Sequence, residues 1–109
     1  MKVAVSVEKP GLDVQISQRF GRCSFFAIVD TESMEAEFLE NPGPKAMGGA
    51  GIKAGQLVVD AGAKAVITGR VGPNAQDTLN AGKIDIYMAP DGTVKELVER
   101  LAKGELPKV

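Results

Sequence analysis

The apolar positions fall into short runs near the N-terminus and take up a helical period further on. "KVAVSV" (residues 2–7) is a β-branched run closed by Lys-Pro-Gly at 9–11, the pattern of a buried strand that leads into a loop. "FFAIVD" (25–30) and "EAEFLE" (35–40) flank "TESM", and the second run alternates charged with apolar residues as an exposed edge strand does. Together they predict a hairpin. The stretch "NPGPKAMGGAG" (41–51) holds two prolines and four glycines, which predicts a loop without regular structure before its end.

From Ala50 the period becomes helical: Ala54, Leu57, Val58 and Ala61 fall on one face, and Gly62 supplies the left-handed residue that ends a helix. "AKAVIT" (63–68) reads as a short strand. Gly72-Pro73 opens a second helix with proline in its first turn, Ala75, Thr78 and Leu79 face inward, and Gly82 closes it. "IDIYM" (84–88) is a further strand. Thr93 and Glu96 have the spacing of a capping box ahead of Val94, Leu97, Val98 and Leu101, with Gly104 as the stop and a polar tail beyond. The order is β-β-β-α-β-α-β-α. Its βαβ units require parallel strands, so the expectation is an α/β sandwich on a mixed sheet.

Composition narrows the classes. A chain of 109 residues with 44% hydrophobic and 25% charged residues suits one soluble domain over 1–109. A formal net charge of -1 without a basic run disfavours a nucleic-acid partner. No apolar run approaches the ~20 residues that span a bilayer, and the start lacks the flanks of a signal peptide, so no membrane role is expected. With one cysteine and no intramolecular disulfide, a cytoplasmic protein is the default. The absence of histidine removes the usual acid/base group near neutral pH and the commonest metal-binding imidazole.

Candidate chemistry sits where loops enter helices, because ligands of open α/β sheets gather outside the carboxyl ends of the strands. "MGGAGIKAG" (47–55) and "TGRVGPNA" (68–75) are two such loops, and "RFGRCSFF" (19–26) is a third candidate for the same end of the sheet. An anion pocket would then be walled by Phe20, Gly21, Arg22 and Cys23, by Gly48, Gly49, Ala50 and Gly51, and by Gly69, Arg70, Gly72 and Asn74. Arg22 and Arg70 are its charge partners. Tight turns and close helix packing explain the same glycines equally well, and solvated arginines are the commoner case. Cys23 is open to two readings: a small buried hydrophobe, the commoner fate of a lone cysteine, or a thiolate metal ligand favoured by Arg22. Met47 is the one methionine placed as a soft ligand.

Gly49-Ala50-Gly51-Ile52-Lys53-Ala54 matches a dinucleotide-binding pattern, but a proline-broken loop precedes it and no acid stands where the ribose partner belongs, so the match is accidental. Asp13 and Asp30 do not make a two-metal nuclease centre, since the first strand carries no acid. No general base or activated nucleophile beyond Cys23 is in view, and an enzyme is not expected.

"MKVAVSVE", "ISQRFGRCSFFAIVD", "ENPG", "GGAGIKAGQLVVDAGAKAVITG" and "GPNAQDTLNAGKIDIY" together resemble the dinitrogenase iron–molybdenum cofactor biosynthesis family, the group of NifX, NafY, the NifB C-terminal domain and the orange proteins. The resemblance implies a three-layer α/β/α, ribonuclease H-like fold with a five-stranded mixed sheet and no nuclease activity. It also implies one NifX-like cofactor-binding domain that carries a metal–sulfur cluster with iron or molybdenum, in some branches with copper, between donor and acceptor proteins of cofactor assembly. Two features depart from the family: there is no histidine to ligate, and Cys23 stands where alanine is common. A single thiolate cannot complete a four-cysteine site, so ligation by Cys23 would need further ligands or a cluster with its own sulfides. Two other functions remain as expectations: a nucleotide- or phosphate-binding regulatory module on the same glycine loops, and a protein–protein adaptor.

Overall fold

The structure is a computed structural model and describes residues 1–109. The chain runs β1 (Lys2–Val7), β2 (Phe25–Asp30), β3 (Ala36–Glu40), a 3-10 turn (Gly43–Lys45), α1 (Ala50–Asp60), β4 (Ala65–Thr68), α2 (Pro73–Ala81), β5 (Asp85–Met88) and α3 (Val94–Ala102). The five strands form one mixed sheet in the order β3-β2-β1-β4-β5. β1 pairs antiparallel with β2 and β2 with β3, whereas β1 is parallel to β4 and β4 to β5. The element order read from the hydrophobic pattern is the observed one.

Side chains alternate across the central strand and build two separate cores. Val3, Val5 and Val7 face α3, where Val94, Leu97, Val98 and Leu101 complete that layer. Ala4 faces α1 and α2, with Phe26, Ala54, Val58, Val66, Ala75 and Leu79. The result is three layers, with α1 and α2 on one face of the sheet and α3 on the other. The capping box of α3 is present as expected, Thr93 accepting from Glu96 N–H while the Glu96 carboxylate accepts from Thr93 N–H.

One local expectation is corrected and two are filled in. The loop after β3 is not wholly irregular, because Pro42 sits where its fixed φ suits a 3-10 turn over Gly43–Lys45. Gly82 caps α2 as expected, with an ordinary φ of -82°, and the left-handed residue follows it at Lys83 (φ 59°). The polar tail is docked: Leu106 is buried among the α3-side core, Lys108 bridges Tyr87, and the Val109 N–H donates to Ile86 O at 2.8 Å. That pairing covers part of the outer edge of β5, which would otherwise present unpaired backbone.

Candidate functional site

β1 leads away to β2 on one side of the sheet and β4 to β5 on the other, so the connections after β1 and β4 part and leave a crevice at their carboxyl ends. A buried hydroxyl cluster ties these ends together. Ser6 Oγ lies 2.7 Å from Thr68 Oγ1 and donates to Ser17 O at 2.7 Å, and the three residues are almost wholly buried.

Above this point a cleft of about 320 Å³ is lined by Gly21, Arg22, Gly49, Ala50, Gly51, Gly72, Pro73, Asn74 and Ala75. Two helix starts converge on it. α1 begins at a left-handed Gly49 (φ 69°) and α2 at Gly72, neither start is capped by a side chain, and neither first turn carries an acid. The first N–H groups of each helix have no intrahelical acceptor and carry the positive end of the helix dipole. No carboxylate lines the cleft, and Arg22, an exposed residue on its wall, takes part in neither of the chain's two ion pairs. The arrangement suits an anion.

The glycines divide by cause. A Cβ on Gly21 would meet Gly51 Cα and N at 3.3 Å, and one on Gly51 would meet Ala75 Cβ at 3.1 Å, so these two let the arginine loop, α1 and α2 close up. Gly49 is required by its left-handed backbone. Gly72 has neither reason, since its φ is -76° and no atom lies within 4 Å of a Cβ built there. What its missing side chain preserves is the open cleft.

Of the residues singled out in the sequence, Gly21, Arg22, Gly49, Ala50, Gly51, Gly72 and Asn74 are brought together, and Phe20, Cys23, Gly48, Gly69 and Arg70 do not line the cleft. Phe20 is buried, its ring 5.0 Å from that of Phe26. Gly48 is exposed beside the cleft. Gly69 packs on Gln18, where a Cβ would run into that residue's side chain and Cα. Arg70 is exposed, with only its backbone fixed, by Phe20 N–H donating to Arg70 O at 3.1 Å. Met47 is fully exposed and Ile52 half-exposed, and neither lines the cleft.

Cys23 lies in the core between β2 and α1, fully buried, with its thiol donating to Phe20 O at 3.4 Å. Burial pushes the thiol up to about 12, the Glu8 carboxylate adds to the rise, and hydrogen bonding from Asn41 opposes it. The residue is buried and does not line the cleft, and its burial opposes the thiolate form that the neighbouring Arg22 was expected to favour. No group of three or more potential ligands among Cys, Asp and Glu side chains is assembled elsewhere.

Sequence reasoning, which ran the third wall from Gly69 to Asn74 and so took in Pro73, missed Ala75 as a lining residue and Asn41 as a neighbour of the arginine loop. Ala75 could have been read from the first turn of α2, since a helix start that faces a ligand presents its first positions together.

A mixed five-stranded α/β sheet with α1 and α2 starting side by side over its diverging strands defines a class of small domains with a main-chain-lined cleft. The chain belongs to the dinitrogenase iron-molybdenum cofactor family, which it matches over residues 1–104. The fold is that of the apo orange protein from Desulfovibrio gigas, with a TM-score of 0.94 and 38% identity over 99% of this chain and 92% of that one. It is also similar to a candidate NifB protein from Thermotoga, with a TM-score of 0.85 and 36% identity over 98% of this chain and 91% of that one. In sequence it is 31% identical to the uncharacterized protein MJ0580 of Methanocaldococcus jannaschii, over 99% of this chain and 91% of its relative. No helix is long and apolar enough to cross a membrane.

Proposed function

We propose that the protein is a carrier, not an enzyme, that holds an anionic metal–sulfur cluster of the iron–molybdenum type in this cleft and passes it to a partner protein of cofactor assembly. The observation that carries the reading is the convergence of Arg22 and two uncapped helix starts on one cleft without a carboxylate. The cluster is cargo, so the protein needs to recognise it and also to release it. Main-chain N–H groups of α1 and α2 donate to its sulfides, the Arg22 guanidinium meets its charge, and Asn74 offers an amide. The lining residues include no Cys, His, Asp, Glu or Met, so they hold a cluster that brings its own sulfides and form no metal bond. Iron, molybdenum and copper sulfides all meet that description. The cleft gives a nucleoside base no aromatic ring to stack on, which weighs against the nucleotide reading.

The test is anaerobic titration with tetrathiomolybdate, alone and with iron or copper, followed by desalting, visible spectra and metal analysis. Wild type is expected to retain a chromophore, and Cys23→Ala to retain it equally. Arg22→Ala is expected to weaken retention by roughly thirtyfold, the loss of one charge-assisted contact of about 2 kcal/mol. Gly72→Val is expected to abolish retention while leaving the melting temperature within a few degrees, because a Cβ at this position has no protein atom within 4 Å and the side chain it carries takes up space on the cleft wall. Uptake of inorganic phosphate in preference to the thiometallate would replace the cluster with a hard anion as the ligand. No uptake of any anion, with a stable partner complex, would favour the adaptor.

A further inference from the structure

Asn41 follows the last residue of β3 and is buried, 2% exposed, with each polar atom of its amide engaged. Its Nδ2 donates to Gly21 O at 3.2 Å and to Cys23 O at 2.8 Å, and its Oδ1 accepts from Gly43 N–H at 3.0 Å. The two carbonyls it holds belong to the residues on either side of Arg22. Gly43 closes the same contact, since a Cβ there would run into the Gly21 carbonyl oxygen, and its own carbonyl lies 3.5 Å from Arg22 Nη1. The Arg22 side chain is otherwise exposed and without an ion pair. Its backbone is pinned on both sides and its head group makes one long hydrogen bond, Nη1 donating to Gly43 O at 3.5 Å, an arrangement that fixes the origin of a long cationic arm and leaves its other N–H donors for a ligand.

We infer that Asn41 is a positioning residue for the cleft: by clamping the carbonyls of Gly21 and Cys23 it sets where the Arg22 guanidinium meets a bound anion. This rests on the proposed carrier function and goes beyond it by assigning a role to a side chain that does not line the cleft. Because the amide acts through Arg22, its effect on binding disappears when the guanidinium is removed. A residue that only stabilised the fold would act alike in both backgrounds.

The experiment is a double-mutant cycle on the full chain, Arg22→Ala, Asn41→Ala and both, read as tetrathiomolybdate affinity by titration at a temperature where circular dichroism shows each variant folded. Asn41→Ala is expected to weaken binding by about tenfold in the wild-type background and by less than about twofold in the Arg22→Ala background. Asn41→Asp keeps an acceptor for Gly43 N–H but sets a carboxylate against two carbonyls, and is expected to reproduce the same non-additivity. Equal losses in both backgrounds, or an unchanged affinity with only a lower melting temperature, overturn the inference. Failure of both Asn41 variants to fold overturns it too, since the residue then determines the fold and not the cleft wall. Absence of uptake by the wild type overturns the carrier reading and the inference with it, whereas uptake that Asn41→Ala leaves intact overturns the inference alone.

Discussion

Cys23 keeps its proton because the thiolate would be formed in a dry core, with the Glu8 carboxylate adding repulsion. A thiol raised from 9.0 to about 12 in the folded chain makes folding stability depend on pH. Below pH 9 both states are protonated and the contribution is complete. Between pH 9 and about 12 the unfolded chain loses the proton and the folded chain keeps it, so stability falls as pH rises, by about 1.4 kcal/mol per unit. Urea unfolding at pH 8.5, 9.5 and 10.5 is expected to show this loss in wild type and a shallower slope in Cys23→Ala. Parallel slopes would mean that the thiol is not held neutral. The sequence left this residue open between core and ligand, and its burial in the α1/α2-side core is something no spacing shows. The legible part of the site was its glycine loops and Arg22. Asn41 was not legible, since its acceptors at Gly21 and Cys23 lie 20 and 18 residues away and only the folded hairpin brings them to its amide.

α1 and α2 act as a pair, because each supplies one wall of the cleft and they cross where Gly55 faces Thr78. A Cβ on Gly55 would stand 2.9 Å from Thr78 Cγ2 and 3.1 Å from its Cβ, and Thr78 cannot turn aside cheaply while its hydroxyl donates to Asn74 O at 3.1 Å. Alanine raises the intrinsic helix preference of α1 by about 1 kcal/mol, but overpacking a close crossing costs about 1–3 kcal/mol, so Gly55→Ala is expected to destabilise. It should also weaken anion retention by splaying Gly51 from Ala75. Thr78→Ser, which removes Cγ2 and keeps the hydroxyl, is expected to restore both in the double variant. Rescue of stability without rescue of retention would separate the crossing from the cleft. Helical periodicity located both helices, including the inward Ala75 and Leu79. It placed Gly82 at the end of α2 but could not reveal that the left-handed turn falls one residue later, at Lys83, or that Gly82 is crowded, with Val59 Cγ2 2.8 Å from the position of a Cβ.

The sheet divides the molecule into a face that builds the cleft and a face that closes the fold. Leu97, Leu101 and Leu106 belong to the α3-side core, and none of them touches the layer in which α1 and α2 pack on Ala4 and Val66. The sequence shows only a polar tail here, but Leu106 is 8% exposed and the backbone beyond it pairs with β5. A single apolar residue in a charged segment carries no periodicity, and its burial depends on the distant α3 and β5. The exposed pair of Lys108 and Asp85 at 3.1 Å adds little beside this burial. Truncating the side chain in Leu106→Ala removes the apolar anchor and leaves the backbone pairing, and at a site on the margin of the core it is expected to cost about 2 kcal/mol. In a domain of this size that lowers the melting temperature by roughly 10 °C, measured by calorimetry. Tetrathiomolybdate affinity of the folded variant is expected to match wild type, because the strands that separate the two cores are held by their own ladder and by the Ser6–Thr68 contact. A matching fall in affinity would mean that the two faces are coupled through the sheet, and that the tail, by tightening α3 against β1 and β4, helps set the geometry of the cleft.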